Sequence, residues 1–221
     1  MGRQIHFRDR RDAGRQLAQR LAKFAGRKDL VVLGLARGGV PVALEVARAL
    51  RVPMDVFIIR KLGAPDQREL AMGAIASGGV RVLNHEVLIR ILDAETVLEK
   101  VAAEEGNELE RREREYRAQR PAVEVRGQTV MLIDDGLATG ASMRAAIRAL
   151  RQRGAGRIIV AVPVGPPEVC QRLKSEADEL ICLVTPADFD AVGQVYDDFS
   201  QTTDDEVRAY LSEFARRTAA G

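Results

Sequence analysis

Apolar residues along this chain fall into two alternating patterns: short unbroken runs, and longer stretches in which they recur every three or four positions. Leu30 to Ala36 is an apolar run of strand length, and beyond Arg37-Gly38-Gly39 the stretch Val40 to Leu50 switches to helical spacing. Asp55 to Arg60 reads as a second strand. The turn formers Gly63-Ala64-Pro65-Asp66 lead to a third run, Ala71 to Ala76, which closes at Ser77-Gly78-Gly79, and Arg81 to Leu83 extends it as a further short strand. From Glu86 to Arg120 helix formers dominate, with Leu88, Leu92, Val97, Val101 and Leu109 as a thin apolar stripe on an otherwise charged, solvated helix. Then come strand Thr129 to Asp134, helix Met143 to Arg153, strand Arg157 to Val164, helix Pro167 to Ala177 and strand Glu179 to Val184. A helix from Arg8 to Phe24 precedes this series. A loop-like segment from Pro186 to Gln201 follows it and leads to a last helix, for which Thr203 and Glu206 supply a capping box.

Strands alternating with helices predict an α/β fold: a doubly wound parallel sheet covered by helices on both faces, with a small hood made from the chain ends. A length of 221 residues without internal repeats suits a single domain, 1–221, with a core at about 28–184 and the hood and C-terminal helix at about 185–221.

Composition narrows the function classes. With 46% hydrophobic residues the chain can bury a core, which excludes disorder as its main state. Thirty-four basic against 32 acidic side chains leave a net charge of +2, a balance that does not suit bulk nucleic-acid binding. The absence of Trp and the 4% aromatic content argue against single-strand stacking platforms. Cys170 and Cys182 are too few for a disulfide framework and lack metal-ligand spacing, so they read as packing residues in a reducing cytoplasm. His6 and His85 are isolated and read as surface or capping residues. The longest apolar runs fall far short of the roughly 18 residues of a membrane span, and the first fifteen residues do not resemble a signal peptide.

The chemistry concentrates at the carboxyl end of the Val130-Met131-Leu132-Ile133 strand, where open α/β sheets bind ligands. Asp134 and Asp135 stand there, followed by the turn Gly136-Leu137-Ala138-Thr139-Gly140-Ala141-Ser142 into a helix. Glycines let backbone fold around an anion, the helix start supplies positive potential, and the Thr139 and Ser142 hydroxyls add donors, so the turn can hold a phosphate monoester. Adjacent carboxylates accept hydrogen bonds from vicinal sugar hydroxyls. One short segment can therefore grip both ends of a ribose 5-phosphate. A Walker B strand is the rival reading, but the chain has no G-x-x-x-x-G-K-[ST] to partner it. A plain capped helix start would leave two adjacent buried carboxylates without purpose.

Val130 to Ser142 resembles the phosphoribosyl diphosphate signature of the type I phosphoribosyltransferases: four apolar residues, two acids, then Thr-Gly-x-Ser. The resemblance implies that fold kind and the following roles. Asp134 and Asp135 hold the ribose hydroxyls, and Gly136 and the stretch Ala138, Thr139, Gly140, Ala141 and Ser142 hold the 5-phosphate. Ala36, Gly38 and Gly39, in the position of the family's diphosphate-binding loop, bind the leaving group with the Arg37 guanidinium, and a cis peptide joins Ala36 to Arg37. Arg60 or Lys61, at the start of a segment placed like the family's mobile catalytic loop, closes over the site to Leu70. Pro186 to Phe199 is placed like a base-binding hood, with Phe189, Val192 and Tyr196 as acceptor contacts and Asp197 as a Mg²⁺ ligand. Ala138 stands where members that use 6-oxopurines carry a third carboxylate, which implies poor use of hypoxanthine and guanine. The implied reaction moves ribose 5-phosphate from phosphoribosyl diphosphate to a nitrogen acceptor, a nucleobase or amine, with Mg²⁺ as cofactor, diphosphate as the leaving group and a cytoplasmic homodimer as the active form. The alternative is a regulatory protein that senses phosphoribosyl diphosphate without turnover.

Overall fold

The computed structural model describes residues 6–64, 67–118 and 120–218. In chain order its elements are α1 (Arg10–Arg20), β1 (Leu30–Leu35), α2 (Gly39–Leu50), β2 (Met54–Phe57), β3 (Ile59–Ala64), β4 (Gln67–Ala76), β5 (Val80–Leu83), α3 (His85–Leu88), α4 (Ala94–Arg117), β6 (Thr129–Ile133), α5 (Ala141–Gln152), β7 (Arg157–Val164), α6 (Pro167–Leu173), β8 (Glu179–Val184) and α7 (Asp204–Thr218). Five strands form one parallel sheet in the order β2-β1-β6-β7-β8. β1 and β6 lie at its centre and are buried on both faces, which is why they read as unbroken apolar runs.

Alternation along each strand sends residues into two cores. Val32, Met131, Ile133 and Ile159 pack with α1, α2, α4 and α7, while Val31, Leu33, Leu132 and Val160 pack with α5 and α6. The doubly wound sheet expected from the sequence is therefore present. A third, smaller cluster joins Phe7, Ala13, Val164, Val195 and Tyr196 above the carboxyl ends of the strands. There the first described residues pair with the segment after β8: the Phe7 amide donates to the Val195 carbonyl at 2.8 Å, the Asp197 amide to Phe7 at 2.8 Å and the Asp198 amide to Arg8 at 2.9 Å. The hood is thus built from the first described residues and the segment after β8, whereas α7, expected with it, packs in the main core beside α2 and α4. The expected capping box starts α7, with the Thr203 amide donating to Glu206 Oε2 at 2.8 Å and the Glu206 amide to Thr203 Oγ1 at 3.2 Å.

Two expectations need correction. The run Asp55 to Arg60 is not one strand, because it breaks at buried Ile58, whose amide donates to Ser77 Oγ at 2.9 Å while the Ser77 amide donates back to the Ile58 carbonyl at 2.9 Å. Beyond the break, β3, β4 and β5 form a separate antiparallel sheet, so the segment expected as a loop from Arg60 is the arm of a hairpin; Pro65 and Asp66 at its turn lie outside the described residues. The helical stretch Glu86 to Arg120 is likewise two helices, α3 and α4. Leu92 is 94% exposed between them, and the buried stripe of α4 runs through Leu98, Ala102, Leu109 and Tyr116. At the end of α4, buried Arg117 donates through Nε to both oxygens of buried Asp55, at 2.9 and 3.1 Å, seating the helix against β2.

Candidate functional site

β6 delivers Asp134 and Asp135 to the carboxyl edge of the sheet, and the chain then turns sharply into α5. Buried Leu137 anchors the turn, its amide donating to the Val164 carbonyl at 2.8 Å, while Ala138, Thr139, Ala141 and Ser142 face solvent. Gly140 has φ +76°, a left-handed conformation that favours glycine, and it directs the first turn of α5 back toward the sheet edge. Thr139 Oγ1 accepts a hydrogen bond from the Ala141 amide at 3.3 Å. The result is an exposed loop at a helix N-terminus, an arrangement suited to a phosphate.

The loop after β1 lies against this edge. The peptide joining Ala36 to Arg37 is cis, as expected. A Cβ at Gly38 would fall on the Asp135 carboxylate, and one at Gly39 would lie 2.5 Å from the Ile133 carbonyl oxygen, so only glycine permits this approach of the loop to the acidic pair. Arg37 sends its guanidinium to Asp204 at the start of α7, 3.6 Å away. Asp204 also accepts a 2.5 Å hydrogen bond from the hydroxyl of buried Tyr116, which lowers its carboxyl below the ordinary range.

Electrostatics distinguish the two acids. Burial first, and then the charge of Asp135, push Asp134 well above the ordinary carboxylate range. Burial raises Asp135 as well, but Arg10 opposes the shift, its Nε donating to Asp135 Oδ2 at 2.7 Å. Arg10 is the contact of the acidic pair that local motif reading missed. It lies 125 positions from its partner, and the only signal for it was that buried carboxylates need a cation.

The remaining expected site residues are more dispersed. Lys61 and Ile59, alternate residues of β3, line a cavity of about 660 Å³ that also contains Ala141 and Ser142, so the hairpin and the turn 136–142 share one space. Arg60, on the opposite face of the strand, pairs with Glu105 of α4 at 2.5 Å. In the hood, Val192 packs so closely on Gly136 that a Cβ there would collide with it. Tyr196 is buried between Phe7 and Phe199, and its hydroxyl donates to the Asp135 carbonyl at 2.6 Å, which ties the hood to the acidic pair. Phe189 packs against the same hood cluster. Asp197 is exposed and lies 2.9 Å from His6 Nδ1. Among the described residues no cluster of three or more His, Cys, Asp or Glu could by itself hold a metal ion.

The family profile described as phosphoribosyl transferase domain matches residues 8–199. Proteins from two Mycobacterium tuberculosis strains, each named provisionally as a phosphoribosyl transferase, are 51% identical over 211 residues, which is 95% of this chain and 47% of theirs. The chain therefore spans about half the length of these curated relatives. The crystal structure of TT1426 from Thermus thermophilus is similar to this chain with a TM-score of 0.83 and 48% identity, covering 95% of this chain and 99% of that one. Among the described residues no helix is long and apolar enough to cross a membrane.

Proposed function

The chain belongs to the phosphoribosyl transferase domain family, and on that premise we propose that it transfers ribose 5-phosphate from phosphoribosyl diphosphate to a nitrogen acceptor, releasing diphosphate. The observation that carries this reading is the meeting of two loops at one sheet edge: the exposed turn 136–142 at the start of α5, and the glycine loop 36–39 pressed onto Asp135.

Each part has a role set by its chemistry. The turn and the N-terminus of α5 bind the 5-phosphate, and the acidic pair accepts hydrogen bonds from the ribose hydroxyls, which fixes the sugar between them. Ala36, Gly38 and Gly39 line the leaving-group side, where the Arg37 guanidinium meets charge that grows on diphosphate as the glycosidic bond breaks. The hairpin that carries Lys61 lines the cavity beside Ser142, and its closure over bound substrate would exclude water. Val192 closes the hood over Gly136. Positioning and preorganised charge account for most of the rate in such a displacement.

Mg²⁺ binds through one or two carboxylates plus phosphate oxygens and water, and a single exposed carboxylate, Asp197, fits that habit. When bound it would neutralise charge on the diphosphate. If Asp197→Asn leaves the Mg²⁺ dependence of turnover unchanged, this ligand assignment is wrong.

The test of the reading is a screen of nucleobases and small amines with phosphoribosyl diphosphate and Mg²⁺, scored by diphosphate release. Acceptor-dependent release supports transfer. Tight binding of phosphoribosyl diphosphate with no release for any acceptor would replace the enzyme with a sensor of the same ligand.

A further inference from the structure

Four parts of the chain converge on one carboxylate. Asp135 lies two residues beyond β6, and Gly38 of the glycine loop lies directly against its Oδ2. Arg10, in the first turn of α1, donates from Nε to that same oxygen at 2.7 Å. The guanidinium continues outward: one terminal nitrogen donates to the Ser200 carbonyl at 2.6 Å, and the plane lies 3.9 Å from the centre of the Phe199 ring. Tyr196 completes the set by donating its hydroxyl to the Asp135 carbonyl at 2.6 Å. The Arg10 and Asp135 side chains keep only 12% and 15% of their surface exposed, so this is a largely desolvated pair rather than a surface salt bridge.

We infer that Arg10 is a positioning residue of the ribose site: it places the negative charge of the acidic pair on Asp135, aims that carboxylate beneath the glycine loop, and ties it to the hood. The inference rests on the proposed function for its consequence, and on geometry for its existence.

The groups around Asp135 leave Arg10 as its counter-charge. Asp134, its neighbour just past β6, is like-charged, and two adjacent carboxylates in a low-dielectric site do not both ionise readily. From α1, Asp9 accepts from the Asp12 amide at 2.7 Å as a helix cap. From the hood, Tyr196 offers a neutral hydroxyl, burial having pushed its ionisation far above the ordinary range. From the glycine loop, Arg37 is directed at Asp204 instead. Among the described residues Arg10 is the cation that touches the pair, and Asp198 of the hood, also in its field, is exposed; the carboxylate in contact with Arg10 keeps the charge and the other is favoured to hold a proton. The sugar then meets an ionised acceptor, Asp135, beside a neutral Asp134 that can also donate.

The linkage to the hood adds a second consequence. Ser200 and Phe199 hold the outer side of the guanidinium, so displacement of the hood displaces Arg10 and with it the charge on Asp135. Hood closure and ribose recognition are thereby coupled through a side chain that need not touch the substrate.

Carbon-detected NMR titration of the Asp134 and Asp135 carboxyls in wild type, Arg10→Gln and Arg10→Lys tests the charge assignment without any ligand. In wild type Asp135 should titrate below Asp134; Arg10→Gln should raise Asp135 by about 1 to 3 pH units, and Arg10→Lys should restore most of the shift. Calorimetry then tests the consequence. Arg10→Gln should weaken Mg²⁺-phosphoribosyl diphosphate binding about tenfold or more and make it strengthen with rising pH, while leaving Mg²⁺-diphosphate binding unchanged. Unaltered titration of Asp135 in Arg10→Gln overturns the inference, as does equal weakening of both ligands, which would signal a general structural defect. Failure of the wild type to bind phosphoribosyl diphosphate would instead overturn the proposed function, and the NMR titration would still decide the role of Arg10.

Discussion

At the scale of single residues, the acidic pair and its neighbours make the sharpest demands. Asp134 accepts the Asp135 amide through Oδ1 at 2.9 Å, a bond that Asn can also make, so Asp134→Asn removes charge while keeping shape. A carboxyl raised by burial contributes stability when protonated, at low pH, and that contribution is lost as pH rises through its folded value. Asp134→Asn should therefore melt at a higher temperature than wild type at pH 7, with the difference shrinking as pH falls toward about 4, the ordinary carboxylate range. Thermal melts across that interval check the sign; a gap that widens on acidification would contradict it. Ala138, exposed in the turn 136–142, offers no group for proton transfer to an acceptor. General acid–base assistance contributes about 10²- to 10⁴-fold, so hypoxanthine and guanine should be poorer acceptors than adenine-like bases, pyrimidines or amines in the diphosphate-release screen. Rapid turnover of hypoxanthine would contradict that prediction. This part of the site was legible because it is contiguous: a strand, two acids and a turn occupy thirteen consecutive positions, Val130 to Ser142. Arg10 was not legible, since nothing near it in the chain names its partner.

At the scale of elements, the central strands were readable because burial on both faces leaves an unbroken apolar signature. The small second sheet was not. β3 carries Arg60 and Lys61 among small residues, and its pairing with β4 shifts register around Leu62 and Gly63, so no regular alternation marks it. The break at Ile58 depends on Ser77, nineteen positions away, and leaves no local trace. α4 was legible as a helix but its buried stripe was displaced, because what selects the face is contact with β3 and α7 rather than the apolar count. Its seating also depends on the Arg117–Asp55 pair, whose members are 8% and 6% exposed. Breaking such a pair leaves an uncompensated buried charge, and Asp55→Ala should destabilise the fold by about 3 to 5 kcal/mol. Replacing both residues by apolar side chains of similar volume should recover most of that loss, as read by urea denaturation. Equal destabilisation by the single and the double change would show that the ion pair itself, rather than the orphaned charge, matters.

At the scale of the whole molecule, the site is an assembly of distant parts. The N-terminal residues pair with the segment after β8, Arg10 reaches from α1 to β6, and Asp204 at the start of α7 meets Arg37 of the glycine loop. The doubly wound sheet sets two loops side by side at its carboxyl edge, and Phe7 with the segment after β8 packs over them. The hood was anticipated only by its position in the chain, since its packing rests on Phe7, Val195 and Tyr196, which carry no periodic signal. The central claim is that these converging parts form a site for phosphoribosyl diphosphate. Calorimetric titration of Mg²⁺-phosphoribosyl diphosphate into wild type and Asp135→Asn, with thermal melts to confirm that both are folded, tests it most directly. A charge-assisted hydrogen bond contributes about 1.5 to 3 kcal/mol, so wild type should bind one ligand per chain and Asp135→Asn about ten- to a hundredfold more weakly. Equal affinity in two folded proteins, or no binding by the wild type, would contradict the account.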